Sequence, residues 1–284
     1  MSAPLNGGLP ALDTARILAE AEIPHVLWGW LAIALMGPDN GPTEIEFVIP
    51  DAQVDDAVCA LVNGGFKLCC NRDCKELSVS RFPPMVGVEV EGRGFFIPLQ
   101  CAAAIYSHDR EHAVASAHFH LDKKYEHYKV LSLHAKSNLL WNFPDITTDI
   151  PAANDPFYRL SNDARLGPNH ESPGRWTGEG VQPIKILTPW ALTDALIYLL
   201  CRDWYGLDKL YCLWQRMLPA IIHSRDSEIR DKIEPQFRTF YEYHMLRGPV
   251  RENIWRPLRP LRDRLIAENK LGTLPPHDLT HSVR

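Results

Sequence analysis

Val26-Leu27-Trp28-Gly29-Trp30-Leu31-Ala32, followed after a turn cluster at 37–42 by Thr43-Glu44-Ile45-Glu46-Phe47-Val48-Ile49-Pro50-Asp51, is the stretch on which the reading of this chain turns. Residues 25–28 are apolar apart from His25 and predict a short buried strand that ends at Gly29. Residues 31–36 are apolar throughout and too few to cross a membrane, and the glycine ahead of them favours a buried helix over a continued strand. Residues 43–49 alternate polar and apolar at their start, as a strand does, and Pro50 ends them. Asp51 is then the expected cap of a helix whose Val54, Ala57, Val58, Leu61 and Val62 recur at helical spacing before the stop at Gly64-Gly65. Strand, glycine, helix, acidic strand and helix in that order specify an α/β (α+β) chain with a mixed sheet.

Outward from this unit the pattern continues. Upstream, residues 11–21 predict a helix that Pro24 stops. Downstream come strand candidates at 66–70, 117–121 and 129–133, a hairpin from 86–91 through Gly92-Arg93-Gly94 to 95–97, and a short helix at 136–141. Between 143 and 183 Pro, Asn, Asp, Gly and Ser are dense and no period is sustained, which predicts a long surface connection or lid. Beyond it Thr188-Pro189 is a cap and first-turn pair, and Leu192, Ala195, Leu196, Leu199 and Leu200 form one helix face. Further helices are expected at 207–218, 227–245 and 253–268. The expected organisation is an α/β domain at 1–142, a Pro/Gly-rich connection at 143–183 and a helical region at 184–284.

Composition sets outer limits. The 284 residues are 45% hydrophobic, enough for a sizeable core. Thirty basic against 35 acidic residues give a net charge of -5, so nucleic acid and anionic membranes are not expected partners. With no apolar run of transmembrane length, and a start that lacks the basic-then-apolar build of a secretion signal, a soluble cytoplasmic protein is expected. Serine-hydrolase elbow, P-loop and dinucleotide fingerprints are absent from the sequence.

Glu44 and Glu46 lie at i and i+2 on one strand, so both carboxylates leave the same face, where a divalent ion can sit between them. Together with the Gly29 turn ahead of them, they make residues 20–100 resemble the core of the nucleotidyltransferase superfamily, in its aminoglycoside adenylyltransferase-like branch. There a Gly-Gly or Gly-Ser turn approaches the nucleotide phosphates, an Asp-x-Asp strand holds Mg²⁺, and a third carboxylate on a later strand activates the acceptor. The resemblance implies that Trp28, Gly29 and Trp30 form the nucleotide turn, that Glu44 and Glu46 hold Mg²⁺, and that Glu89 or Glu91 on the hairpin is the base. A nucleoside triphosphate and a small hydroxyl or amine acceptor would be the partners. Trp28 stands where the family has its first glycine, Trp30 where a small residue or serine is usual, and Glu replaces both Asp. The resemblance therefore implies either a Mg²⁺-dependent transferase or a relative in which catalysis is altered or lost and a ligand or partner is bound.

Three further groups carry alternatives. His118-Phe119-His120 puts two imidazoles on one strand face, and with Glu126 and His127 it loosely resembles a cupin metal site for Zn²⁺ or Fe²⁺. Cys69, Cys70 and Cys74 look like half of a zinc cluster with no second pair at finger spacing, and read as reduced thiols. Arg247, Arg251, Arg256, Arg259, Arg262 and Arg264 form a local basic patch, read as a solvated helix face. The odd count of seven cysteines and the missing signal predict unpaired thiols. Titration of the unfolded, unreduced chain should find nearly all seven; finding one would mean three disulfides.

Overall fold

The computed structural model describes residues 8–37, 44–71, 74, 85–90, 93–98, 113, 115–121, 125, 128–166, 175–178, 181–203, 209–247 and 255–274. At residues 26–36 and 44–49 the order of strand, glycine, helix and strand is as expected, while the turn cluster lies outside the described residues beyond Gly37. Helix α1 (Gly8–Glu20) precedes strand β1 (Val26–Trp28), and Gly29 starts α2 (Gly29–Met36) with no intervening loop. Such an abrupt strand-to-helix corner needs φ of +74° at Gly29, a left-handed value that glycine adopts without steric cost. Strand β2 (Glu44–Ile49) then runs antiparallel to β1, with Val26 opposite Val48 and Trp28 opposite Glu46.

A 3₁₀ turn at Asp51–Gln53 leads into α3 (Val54–Asn63), which buries Ala57 and Leu61 and leaves Val62 exposed. Asp51 does not cap this helix. Its carboxylate accepts the Ser137 amide at 3.0 Å and the Ser137 hydroxyl, so it caps α4 (Lys136–Leu139), which starts beside the far end of β2. The 3₁₀ turn shifts the start of α3 past Asp51, and the side chain is freed for the nearer set of orphan amides.

Strands β3 (Lys67–Leu68), β6 (Ala117–His120), β7 (Val130–Ala135), β8 (Tyr158–Leu160) and β9 (Lys185–Leu187) complete a seven-stranded mixed sheet in the order β3-β6-β7-β2-β1-β9-β8. Apolar matching places β7 beside β2, because parallel pairing sets Ile45 against Leu131 and Phe47 against Leu133. Both edges of β2 are thereby filled. The hairpin β4 (Met85–Val90) and β5 (Arg93–Pro98), expected beside the Glu44 strand, instead forms a separate two-stranded sheet.

The expected connection at 143–183 contributes the edge strand β8, and β9 from the expected helical region pairs parallel with β1 through Leu27 and Ile186. One continuous apolar core consequently includes residues of α1 to α3, the sheet and the later helices. Those helices are α5 (Pro189–Asp203), α6 (Lys209–Ile229), α7 (Arg238–Arg247) and α8 (Trp255–Ala267). Thr188 caps α5 as expected, its hydroxyl accepting the Ala191 amide at 3.3 Å. The helix expected at 227–245 is broken, since the chain leaves α6 at Ile229 and enters a 3₁₀ turn at Pro235–Phe237 before α7. Proline lacks the amide a continuous helix would need.

The basic patch is not a solvated face throughout. Arg262 is buried and donates to the Cys201 carbonyl at 2.8 Å, and Arg264 donates to the Gln236 carbonyl at 2.9 Å. Cys201 lies in the last turn of α5, where carbonyls have no intrahelical partner and a guanidinium supplies one. Arg251 lies outside the described residues. Among the described residues, no helix is long and apolar enough to cross a membrane.

Asp194, buried on α5, sets a pH dependence. Burial, reinforced by the nearby Glu234 carboxylate, pushes its carboxyl up from 3.8 to about 8, although the Glu234 amide donates to it at 3.2 Å. The folded chain therefore holds a proton that the unfolded chain has released. The associated stability is fully present below the unfolded value and is lost as pH rises through about 8. Asp194→Asn, which keeps the protonated shape, should gain stability relative to the parent as pH rises from 5 to 9, with a slope of at most about 1.4 kcal/mol per pH unit. Urea denaturation of both proteins across that range checks it; parallel curves would remove the assignment.

Candidate functional site

The face carried by β2 is assembled from three strands and one helix start. Glu46 stands opposite Trp28 in the β1–β2 ladder and opposite Ser132 in the β2–β7 ladder. Its side chain runs over the corner at Gly29: a β-carbon on Gly29 would lie 1.7 Å from Glu46 Oε2. Residue 29 must therefore lack a side chain for two separate reasons, its backbone angle and the carboxylate seated against it. That seat is at the N-terminus of α2, where the helix dipole favours negative charge. The other carboxylate oxygen, Oε1, accepts from His134 Nε2–H at 3.2 Å. His134 comes from β7, two residues beyond the register partner of Glu46, and is wholly buried, while Glu46 is only 7% exposed.

The remaining expected site residues divide. Glu44 shares the face of Glu46 and is half-buried, opposite Val130. Trp28 is 1% exposed, and its ring meets that of Trp214 edge-on with centroids 6.3 Å apart. The Trp214 indole N–H donates to Asp203 at 2.7 Å, so the two tryptophans join β1 to the α5–α6 pair and leave no face of Trp28 for a nucleotide. Trp30 is partly buried against the same core. Glu89 lies on β4, in a sheet separate from that of β2, and Glu91 falls outside the described residues. His118 and His120 do share one side of β6, facing a cysteine, while Glu126 and His127 lie outside the described residues.

This donor set does not fit the Mg²⁺ that the resemblance implies. Magnesium takes oxygen ligands in near-octahedral geometry at about 2.0–2.1 Å and needs carboxylate oxygens that face a ligand. One Glu46 oxygen is engaged by an imidazole and the other lies against backbone. Beside β2, the same face of β7 offers Val130, Ser132 and His134, and among the described residues no carboxylate from a later strand joins Glu44 and Glu46.

His134 is the residue that reading the sequence missed. Its signal is the pair Ser132 and His134 alternating with Leu131 and Leu133 in an otherwise apolar strand, which gains meaning only when β7 is placed beside β2. A scan against protein-family models finds no match, and no curated protein matches the sequence either.

Steric coupling between Gly29 and Glu46 is directly testable. Gly29→Ala should destabilise by at least about 1–3 kcal/mol from the left-handed angle alone. The contact with Glu46 adds to that, so the same substitution should cost less in a Glu46→Ala background, with a coupling of about 0.5–3 kcal/mol. Equal costs in the two backgrounds, measured by chemical denaturation, would show that the carboxylate does not occupy that corner.

Proposed function

We propose that this protein is a nucleotidyltransferase-like binding protein in which the acidic strand holds the fold together rather than a catalytic metal. The support for the scaffold is the order of β1, the Gly29 corner, α2 and the central acidic strand β2, with β2 paired to β1. The observation that carries the loss of metal-dependent transfer is the closed Glu46–His134 pair. Phosphoryl transfer depends on metal ions that bridge and neutralise the phosphate oxygens, and on a group that positions the nucleophile. Here the inner carboxylate is already engaged by its own protein, through His134 and the Gly29 corner. To bind Mg²⁺ it would have to leave His134, exposing a buried imidazole to an unmade hydrogen bond at a cost of about 1–3 kcal/mol.

Isothermal calorimetry with ATP, with and without Mg²⁺, tests this on the parent chain and on Glu44→Gln/Glu46→Gln. The expected result is no Mg²⁺-dependent heat in the parent. The double variant should unfold at similar or slightly lower denaturant concentration, since the side-chain amide introduced by Glu46→Gln keeps an oxygen that accepts from His134. Mg²⁺-dependent ATP binding that disappears in the double variant would overturn the proposal in favour of an active transferase.

A further inference from the structure

Two fragments that look unrelated in sequence meet at the β3 edge of the sheet. Strand β3 pairs antiparallel with β6, Lys67 opposite His120 and Leu68 opposite Phe119. The ladder extends one step further, the Cys69 amide donating to the His118 carbonyl at 2.9 Å, so Cys69 lies alongside His118. His118 and His120, two residues apart on β6, project to the same side with ring centroids 5.2 Å apart. The Cys74 amide donates to the Asn71 carbonyl at 3.1 Å, and the Cys74 sulfur lies close to a nitrogen of each ring. His118 Nε2 is 3.2 Å and His120 Nε2 is 3.5 Å from Cys74 Sγ. One donor atom from each of Cys69, Cys74, His118 and His120 lies within 4.8 Å of all the others.

We propose that these four side chains form a tetrahedral zinc site that fastens the β3 edge to β6. Zn–N and Zn–S bonds of about 2.0 and 2.3 Å imply ligand-to-ligand edges of roughly 3.3–3.8 Å in a tetrahedron. The two sulfur–nitrogen separations to Cys74 already match that size, and none of the others exceeds 4.8 Å, so each needs to close by at most roughly 1–1.5 Å. Donor chemistry points the same way. Two sulfurs and two imidazoles suit zinc, and the group contains none of the carboxylates that magnesium or calcium would require. On binding, each thiol gives up its proton and each imidazole binds through Nε2 as the neutral ring. The two thiolate charges then cancel that of Zn²⁺, so an electrically neutral centre occupies a place where Cys74 and His118 are buried. With four protein ligands no position is left for water or substrate, which makes the site structural rather than catalytic.

The local architecture gives the metal a task. β3 has only two residues, both exposed, and its ladder to β6 is correspondingly short. Such an edge is weakly held by hydrogen bonds alone. A cross-link from the β3 side, through Cys69 and Cys74, to two residues of β6 fixes its register. This inference is independent of the nucleotidyltransferase reading, since none of its four residues belongs to the Gly29–Glu46–His134 cluster.

The test uses the full chain, purified under reductant, stripped with a chelator and titrated with Co²⁺ as a spectroscopic probe. About one cobalt per chain should bind, with the visible bands of a tetrahedral site and a sulfur-to-cobalt charge-transfer band in the near ultraviolet, and zinc should then displace it. Cys69→Ser and His120→Gln change the two less buried ligands, so folding by circular dichroism should persist. Changes in groups that merely support metal ligands cost about 10–100-fold in affinity, and losing a ligand should cost at least as much. Cys59→Ser, an exposed thiol outside the group, should bind as the parent does. A folded, reduced parent that takes up neither cobalt nor zinc overturns the proposal. So does a cobalt spectrum that survives in Cys69→Ser/His120→Gln.

Discussion

A carboxylate placed inside a sheet must be satisfied from every side, and Glu46 meets that condition by drawing together three segments distant in sequence. Its oxygens face the β1–α2 corner on one side and β7 on the other, so the side chain acts as a spacer whose length sets the distance between Gly29 and His134. If the corner opened, the carboxylate would lose the favourable end of α2; if β7 slipped by one residue, His134 would turn to the opposite face. The register of the central strands and the backbone angle of a single glycine are thus consequences of one polar contact. Burial of an unpaired charge costs more than most single contacts return, which makes this pair a constraint on the fold as well as a contributor to it.

What was legible in the sequence was local. Helix α2 is an uninterrupted apolar run behind a glycine, strand β2 and helix α3 carry their own periods and their own Gly or Pro boundaries, and each appears within a few residues of its expected place. What was not legible depends on strands meeting. The role of His134 requires the parallel β2–β7 pairing, and β8 and β9 are three residues long, too short for alternation to register. Asp51 had the residue type and position of a cap, yet it serves a helix much further along the chain because the intervening 3₁₀ turn points it there. Cysteines at 69 and 74 and histidines at 118 and 120 each fell short of a known ligand spacing, since the spacing that matters is set across β3 and β6. Arg262 read as a solvent-facing residue because a helical pattern shows polarity but not which carbonyl lies within reach.

The two margins of the large sheet carry different side-chain chemistry. At β3 the side chains are soft donors, two sulfurs and two imidazoles. At β8 the hold is ionic: buried Arg159 reaches Glu228 of α6 at 3.0 Å, and Glu228 also receives Arg225 at 3.0 Å. Arg225 in turn donates to carbonyls of Arg165, Leu166 and Met36, where the last of these closes the C-terminus of α2. Its own backbone leaves helical geometry at that point, with φ of -133°, so the bend in α6 coincides with the residue that gathers these segments. Sheet edges left unprotected invite pairing with other chains, and the β8 margin here is tied back to the body of the protein.

The position of β9 has a bearing on how the chain is made. Strand β1 is made well before the neighbour that covers its other side, since Leu27 pairs with Ile186 across a long stretch of intervening chain. Until then an apolar strand beside the molecular centre presents open backbone groups to its surroundings. Such long-range parallel closure is slow relative to local helix formation, and intermediates that wait for it are prone to associate. The longer the stretch between Leu27 and Ile186 takes to make, the longer that side of β1 stays without its partner.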